Sequence, residues 1–191
     1  MQRRQFLSAL SISVAGLLGF PRQAFCMGGV LPELHQPAPD FKLRGVVPGA
    51  DGSAESAERS LSDFSGRWLV LYFYPRDFTE GCTIEARGFQ RDLQAFHNAG
   101  AEVVGVSADS AESHAEFCGS ESLAYPLLSD PGGAVSKAYG SWIAPFSQRH
   151  TFLIDPDGVV QQVWLAVRPS GHSQEVLASL NHQAQPGAPR W

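Results

Sequence analysis

A seven-residue apolar run at residues 68–74 constrains the fold of this chain more than any other feature. A continuous run of this kind, rich in aromatic residues, is typical of a central strand that is buried on both faces. The run ends at Pro75, and a helical pattern then covers residues 80–99, where Gly100 provides a C-terminal signal. A buried strand that is followed directly by a long helix predicts an α/β domain.

The first turn of this predicted helix contains a cysteine. Apolar residues recur on one helical face, namely Cys82, Ala86, Phe89, Leu93 and Phe96. Thr79 fits the N-cap position, where its hydroxyl is expected to accept a hydrogen bond from a free backbone N–H. A helix N-terminus favours the thiolate, which is the reactive form of cysteine. Cys82 is therefore predicted to be a nucleophile or redox centre, and the alternative is a buried structural cysteine.

The remaining elements follow in an order that is typical of a three-layer α/β domain with a mixed sheet. Patterns along the chain predict a strand at 41–47, a surface loop at 48–59, a buried strand at 101–107, a capping box at 109–112 that opens the next helix, a short helix at 131–140, hairpin strands at 151–154 and 159–167, and a last helix at 173–180. The domain is assigned to residues 40–180, after a linker at 27–39 and before a polar tail at 181–191.

The segment from Pro75 to Cys82 resembles the active-site signature of the peroxiredoxins, Pro-x-x-x-Thr-x-x-Cys. The wider stretch 71–85 is similar to the branch that contains bacterioferritin comigratory protein and peroxiredoxin Q. Further similar pieces follow in the same order, at 38–41, 126–130, 149–155 and 171–177. The resemblance implies a thioredoxin-like fold, with a central mixed β-sheet and helices on both faces.

The resemblance also implies an activity, which is the thiol-dependent reduction of hydrogen peroxide and organic hydroperoxides without a metal or organic cofactor. The Cys82 thiolate would attack the peroxide and become a sulfenic acid. The Thr79 hydroxyl, the Cys82 backbone N–H and the Arg149 guanidinium would stabilise the leaving oxygen. Pro75 would shield the pocket, and Glu85 would orient Arg149. The alternatives are a surface position for Arg149 and a helix-dipole role for Glu85.

A second cysteine, Cys118, is the candidate for recovery of the oxidised Cys82. Many members of the branch carry this resolving cysteine five residues after the first, where this chain has Arg87. Cys118 lies in the following helix, which matches a second arrangement in the branch and implies an intramolecular Cys82–Cys118 disulfide. Such a bond would require both helices to open locally. If Cys118 is only a buried helical cysteine, an external thiol recovers a one-cysteine enzyme.

Residues 1–26 have the features of an export signal, with Arg3 and Arg4 near the start, a short apolar stretch after them and no acidic residue. The segment 3–7 resembles the twin-arginine motif, which is typical of substrates that are exported folded. Small side chains at Ala24 and Cys26 predict cleavage after Cys26. A lipid-modified Cys26 is an alternative that the bulky residue before it disfavours. The predicted location is the periplasm, or the membrane if an uncleaved signal acts as an anchor.

Length and charge limit the remaining possibilities. A chain of 191 residues is long enough for one domain with a proper core, and a net charge of −5 argues against binding nucleic acid through a basic surface. Removal of residues 1–26 leaves two cysteines, which permits a disulfide in an exported protein. The histidines lack metal-ligand spacing, so no metal site is predicted, and His150 and His172 are interpreted as structural or surface residues.

The predicted partners are a peroxide substrate and a thioredoxin-like or other dithiol reductant, and the chain is predicted to be a monomer. A function from a different class is a thioredoxin-like module that senses redox state or binds a partner through Cys82. The presence of both Thr79 and Arg149 favours turnover, because a sensor does not need both residues.

Overall fold

The computed structural model describes residues 25–26, 28–49 and 53–184. Most of the predicted export signal, residues 1–24, and the end of the predicted tail, residues 185–191, lie outside the described residues. Residues 28–39, which were predicted as linker, run along the domain and form backbone hydrogen bonds with it, such as His35 N to Val160 O at 2.7 Å and Ala38 N to Gly158 O at 2.9 Å. In the described ranges, no helix is long and apolar enough to cross a bilayer.

Strands and helices alternate through the middle of the chain. The strands are β1 Phe25–Cys26, β2 Gly29–Val30, β3 Lys42–Pro48, β4 Ala54–Ser60, β5 Trp68–Phe73, β6 Ala101–Ser107, β7 Leu127–Ser129, β8 Trp142–Ile143, β9 Phe146–Ser147, β10 His150–Ile154 and β11 Val160–Trp164. The α-helices are α1 Glu80–Asn98, α2 Ala111–Glu121, α3 Ala134–Ala138 and α4 His172–Gln183, and a 3₁₀ turn covers Leu61–Phe64.

Seven strands form one mixed sheet in the order β11-β10-β5-β6-β7-β3-β4. The three central strands, β5, β6 and β7, are parallel, and their outer neighbours are antiparallel. The central position of β5 explains its composition, because a strand that is covered on both faces must be apolar along its whole length. Five of its six residues are buried. The predicted mixed sheet and thioredoxin-like α/β fold are therefore confirmed.

Two apolar clusters lie on opposite faces of the sheet. One contains the buried sides of α1, α2 and α4, including Cys82, Phe89, Phe117, Cys118 and Val176. The other contains the 3₁₀ turn and the residues around α3, with Phe64, Phe73, Tyr139 and Phe152 at its centre. The apolar stripe predicted for α1 points into the first cluster, and this burial fixes the helix axis across the sheet.

The structure corrects two details of the sequence analysis. Residues 54–60, which belong to the predicted surface loop at 48–59, form the edge strand β4, paired with β3 along its whole length. Backbone hydrogen bonds to β3 hold this segment in the sheet, so its side chains can be polar and do not show the alternating pattern of a strand.

The second correction concerns the start of α2. Its N-cap is Ser110, whose hydroxyl accepts from Ser113 N, whereas the predicted capping box began one residue earlier at Asp109. Asp109 instead accepts hydrogen bonds from Asp77 N and the Ser107 hydroxyl.

Candidate active site

Two neighbouring inner strands, β5 and β10, bring the reactive groups together at one end of the sheet. Strand β5 ends at Phe73, and the connection that follows it, residues 74–79, leads directly into α1. Strand β10 runs antiparallel to β5, with His150 opposite Phe73. Arg149 immediately precedes β10 and therefore arrives beside this connection, which we call the active-site loop. This topology explains how residues 67 positions apart in the sequence, Cys82 and Arg149, meet in the fold.

Cys82 is the third residue of α1 and is 2 % exposed. Its Sγ accepts a hydrogen bond from Arg149 Nη2 at 3.3 Å. The first hydrogen bond of the helix joins Thr83 N to Thr79 O at 2.9 Å, so the backbone N–H of Cys82 lies in the turn that has no intrahelical acceptor. The sulfur therefore faces a guanidinium at the positive end of a helix, and both features stabilise a negative charge.

Arg149 is held between Cys82 and a buried carboxyl. Its Nη1 donates to Glu85 Oε2, and the side chains of Arg149 and Glu85 are 15 % and 1 % exposed. Burial acts to lower the pKa of Arg149, but the charges of Glu85 and Cys82 outweigh this effect and the pKa is raised. Burial raises the pKa of Glu85 to about 7, against the opposing charge of Arg149. The guanidinium is thus largely withdrawn from water, and Glu85 orients it toward the sulfur.

Gly81 leaves room for this guanidinium. A Cβ atom at Gly81 would lie 3.1 Å from Arg149 Nη2, closer than an ordinary van der Waals contact. Gly81 stands between the N-cap and Cys82 in the first turn of α1. A side chain at this position would therefore press directly on the group that bonds to Cys82.

Thr79 occupies the N-cap position with extended backbone angles, φ −81° and ψ 145°, as predicted. Its side chain, however, caps no backbone N–H of the helix. The hydroxyl donates to Arg76 O at 3.0 Å, so it turns back toward the active-site loop. The prediction of a capping hydrogen bond was wrong, because the hydroxyl is turned toward the Arg76 carbonyl and its oxygen accepts from no N–H of the helix. The oxygen can still accept a hydrogen bond from a substrate hydroxyl. Pro75, half-buried, is the second residue of the same loop.

The active-site loop contains one strained residue next to Thr79. Phe78 has a φ of +59°, a region that residues other than glycine rarely occupy. Its side chain is 54 % exposed, and its ring packs edge-on against Phe117 of α2 with centroids 5.1 Å apart. The loop is thus anchored to α2 by an aromatic contact on the surface of the domain.

Cys118 lies in α2, beside a small cavity that Arg149 does not line. Both Cys82 and Cys118 are buried free thiols. Burial, and after it the charge of Asp77, raises the pKa of Cys118 to about 12. A cavity of about 10 Å³ lies beside Cys118, between β3, β4 and the end of α2, and is lined by Val47, Pro48, Ser53, Ala54, Gly119 and Leu123. The raised pKa favours the protonated thiol over the reactive thiolate at Cys118.

Sequence reasoning missed a buried polar pair close to the site. Asp77, in the active-site loop, is 4 % exposed, and His114, in α2, is fully buried. His114 Nδ1 lies 2.9 Å from Asp77 Oδ2. The available signals were an acidic residue inside the signature segment and a histidine one helical turn before Cys118. Among the described residues, no group of three metal-ligating side chains could hold a metal ion.

The two histidines that the sequence analysis left as structural or surface residues are buried. His150 Nδ1 accepts from Ala166 N at 3.3 Å, and burial lowers the pKa of the His150 ring. His172 Nε2 lies 2.9 Å from Thr151 Oγ1 and ties α4 to β10. Both rings thus make hydrogen bonds at β10, the strand that Arg149 immediately precedes.

A cysteine at a helix N-terminus, paired with an arginine from a neighbouring strand of a thioredoxin-like sheet, defines the class of thiol-based peroxidases. The chain is similar to proteins of this class along most of its length. Residues 34–163 match the model of the AhpC/TSA family. The chain therefore belongs to the AhpC/TSA family, in the branch of the Bcp and PrxQ peroxiredoxins.

Individual relatives support this placement. Peroxiredoxin Bcp of Xanthomonas campestris is 38 % identical over 161 residues, which cover 80 % of this chain and 96 % of the relative. The mitochondrial thioredoxin-dependent peroxide reductase of Drosophila melanogaster is 42 % identical over 154 residues, 75 % of this chain and 64 % of the relative. The solved structure of Xanthomonas campestris peroxiredoxin Q superposes with a TM-score of 0.67 at 36 % identity, over 75 % of this chain and 91 % of the other.

Proposed function

We propose that this protein is a thiol-dependent peroxidase that reduces hydrogen peroxide and organic hydroperoxides at Cys82. The observation that carries the proposal is the 3.3 Å hydrogen bond from Arg149 Nη2 to Cys82 Sγ at the N-terminus of α1. A related structure from Xanthomonas campestris is described as giving insight into alkyl peroxide reduction, which favours organic hydroperoxides among the substrates.

The first step uses groups that the site already holds in position. The Cys82 thiolate attacks the terminal oxygen of ROOH, the S–O bond forms as the O–O bond breaks, and the leaving alkoxide takes a proton from solvent water to become ROH. The backbone N–H of Cys82 and the guanidinium of Arg149 stabilise the charge that develops on the leaving oxygen. The Thr79 hydroxyl accepts a hydrogen bond from the peroxide, and Pro75 limits the access of bulk water. The product is Cys82 sulfenic acid.

The second step recovers the cysteine. The Cys118 thiol attacks the sulfenic sulfur of Cys82, and the disulfide forms as the hydroxyl leaves with the thiol proton as water. A dithiol protein then reduces the disulfide. The name of the Drosophila relative, a thioredoxin-dependent peroxide reductase, supports a reductant of the thioredoxin type. Both cysteines are buried free thiols in the described state, so this step requires a change of conformation around each of them.

Turnover and peptide mapping test this proposal together. The protein should consume peroxide with dithiothreitol as reductant, and Cys82→Ser should remain folded and lose this activity. A non-reducing peptide map after one equivalent of peroxide should show a Cys82–Cys118 disulfide. A redox-sensing module would instead oxidise once without turnover. Sulfenic or sulfinic Cys82 beside a free Cys118 thiol would establish the one-cysteine route with an external thiol.

We also propose that the protein is exported to the periplasm and acts as a monomer. The adjacent Arg3 and Arg4 and the short apolar stretch that follows them support export by the twin-arginine route. Substitution of Arg3 and Arg4 by lysine should leave the protein in the cytoplasmic fraction, whereas export of this variant would contradict the proposal. Light scattering of the purified mature chain tests the monomer, and a dimer mass would exclude it.

A further inference from the structure

A buried polar cluster joins the active-site loop to α2, and the peroxidase steps above do not use it. Asp77 is its centre. Its Oδ1 accepts from the Tyr74 hydroxyl at 2.8 Å. Its Oδ2 accepts from the Ser113 hydroxyl at 2.7 Å and from His114 Nδ1 at 2.9 Å. Because the carboxylate is an acceptor for all three groups, the His114 ring carries its proton on Nδ1.

The connection continues through the backbone. The N–H of Asp77 donates to Asp109 Oδ2 at 2.9 Å, and the same oxygen accepts from the Ser107 hydroxyl at 2.7 Å. Asp109 and Ser107 lie at the junction between β6 and α2. The loop is therefore tied to the first turn of α2 by side-chain and main-chain hydrogen bonds that are largely withdrawn from water.

The burial of this pair requires an explanation. His114 is fully buried, and its Nε2 has no hydrogen-bond partner in the described structure. An apolar residue would fill such a site without leaving a nitrogen unpaired, because the lost hydration of a buried polar group opposes folding. The ring nitrogen that does have a partner, Nδ1, bonds to Asp77. This contact points to a role of His114 in holding the loop on the helix, in addition to packing.

The two halves of the cluster each lie close in sequence to one of the cysteines. Asp77 is five residues before Cys82, and His114 is one helical turn before Cys118. After burial, the charge of Asp77 is the second influence that holds Cys118 as a thiol. Movement of the loop away from α2 would thus free Cys82 and also take this charge away from Cys118.

We propose that Asp77 and His114 form a latch that keeps the active-site loop on α2, and that opening of this latch sets the rate at which Cys118 reaches the oxidised Cys82. The inference rests on the proposed resolving role of Cys118. Asp77 and His114 are positioning residues in this scheme, since neither touches the peroxide. The step that they control joins the two sulfurs, reduces the sulfenic sulfur, oxidises the thiol sulfur and releases water.

Two substitutions of His114 separate the latch from simple packing. His114→Leu removes the donor to Asp77, whereas His114→Asn can place an N–H close to the position of Nδ1 and should rescue the wild-type rate. Ser113→Ala removes a second donor to Asp77 at a half-buried site and is the milder variant. Ser120→Ala is the matched control, because its hydroxyl bonds only to Phe117 O within the same helix.

The experiment follows both oxidation steps in one time course. Reduced protein is mixed with hydrogen peroxide, quenched at intervals, and analysed by mass spectrometry for Cys82 sulfenic acid and for the Cys82–Cys118 disulfide. Sulfenic acid should form at the wild-type rate in every variant. Disulfide formation should be about tenfold faster in His114→Leu, on the scale of one hydrogen bond to a charged group, and severalfold faster in Ser113→Ala. The asparagine and Ser120→Ala variants should match the wild type.

Each other outcome overturns a defined part of the reasoning. Equal disulfide rates in the wild type, His114→Leu and Ser113→Ala would refute the latch, as would an asparagine variant that behaves like leucine. If His114→Leu does not fold, the Ser113→Ala and Ser120→Ala pair gives the answer alone. Absence of sulfenic acid at Cys82 in the wild type would instead refute the proposed peroxidase. Sulfenic acid without a bond to Cys118 would refute the resolving role and the latch with it.

Discussion

Replacement of Glu85 by glutamine should remove a specific pH dependence of stability. Glu85 is 1 % exposed, and burial raises the pKa of its carboxyl to about 7, from an ordinary value of 4.5. Its Oε1 has no hydrogen-bond partner in the described structure, whereas Oε2 receives the Arg149 guanidinium. Glutamine keeps the shape and the acceptor for Arg149 but cannot ionise. The substitution therefore isolates the free energy of charging this one buried group.

The sign and size of the effect follow from linkage. Between pH 4.5 and 7 the unfolded chain releases the Glu85 proton while the folded chain keeps it, so the free energy of unfolding falls as pH rises and is constant above pH 7. A rise of the pKa from 4.5 to about 7 corresponds to a loss of about 3 kcal/mol for this group. The wild type should lose about 2–3 kcal/mol more than Glu85→Gln between pH 5 and pH 8.

Urea unfolding of the reduced proteins at pH 5 and pH 8 measures this difference. Other titrating groups are common to both proteins and cancel in the comparison. Glu80→Gln is the matched control, because it removes an exposed carboxyl from the first turn of the same helix, and it should behave like the wild type. Equal pH dependence in the wild type and Glu85→Gln would refute the reasoning. It would mean that Arg149 holds Glu85 ionised throughout this range and that burial costs nothing net.

Three further predictions concern the same site. Arg149→Ala and Thr79→Val should each slow the oxidation of Cys82 by roughly 10²–10³-fold in stopped-flow experiments, the scale of one lost transition-state hydrogen bond, and an unchanged rate would make these residues structural. Gly81→Ala should slow the same step severalfold, because the new Cβ would lie 3.1 Å from Arg149 Nη2 and displace it. The same substitution should raise the melting temperature, because alanine has the better helix propensity. An unchanged oxidation rate would show that the guanidinium can move aside without loss of function. Cys118 should react with iodoacetamide roughly a thousandfold more slowly than in urea-unfolded protein, because its pKa is raised to about 12, and comparable labelling of the two states would contradict this.

The centre of the fold was predictable because it follows from apolar pattern alone. Residues 101–107 form β6 with the predicted bounds, and residues 68–73 of the predicted strand form β5. Both strands are buried by helices on one face and by loops and α3 on the other, so their sequences must be apolar throughout. Helix α1 was predictable for a related reason, since its apolar stripe, from Cys82 to Phe96, repeats with the period of a helix over about four turns.

Other features depend on contacts that no local pattern records. The polar segment 54–60 becomes strand β4 only because the edge of β3 is available to it. The hydroxyl of Thr79 is turned toward the Arg76 carbonyl and away from the helix N–H groups, and its position in the sequence allows either orientation. The sequence of α2 does not distinguish His114 from a surface residue, because its burial depends on contact with the loop that contains Asp77. In each case the partner is remote in sequence or fixed by the backbone.

The small cavity beside Cys118 has a consequence for the order in which the two thiols meet an oxidant. Its volume of about 10 Å³ is at the lower limit for a single water molecule, so it leaves little room for a peroxide beside the sulfur. Cys82, by contrast, stands at the beginning of a helix, next to exposed Thr79 and Phe78. Arg149 and the helix N-terminus stabilise a thiolate at Cys82, whereas burial keeps Cys118 protonated. We therefore expect peroxide to oxidise Cys82 first, and Cys118 to react only afterwards, with the sulfenic acid. Residues 47–48 and 53–54, at the end of β3 and the start of β4, line the space beside Cys118 and so leave an oxidant little room next to this second thiol.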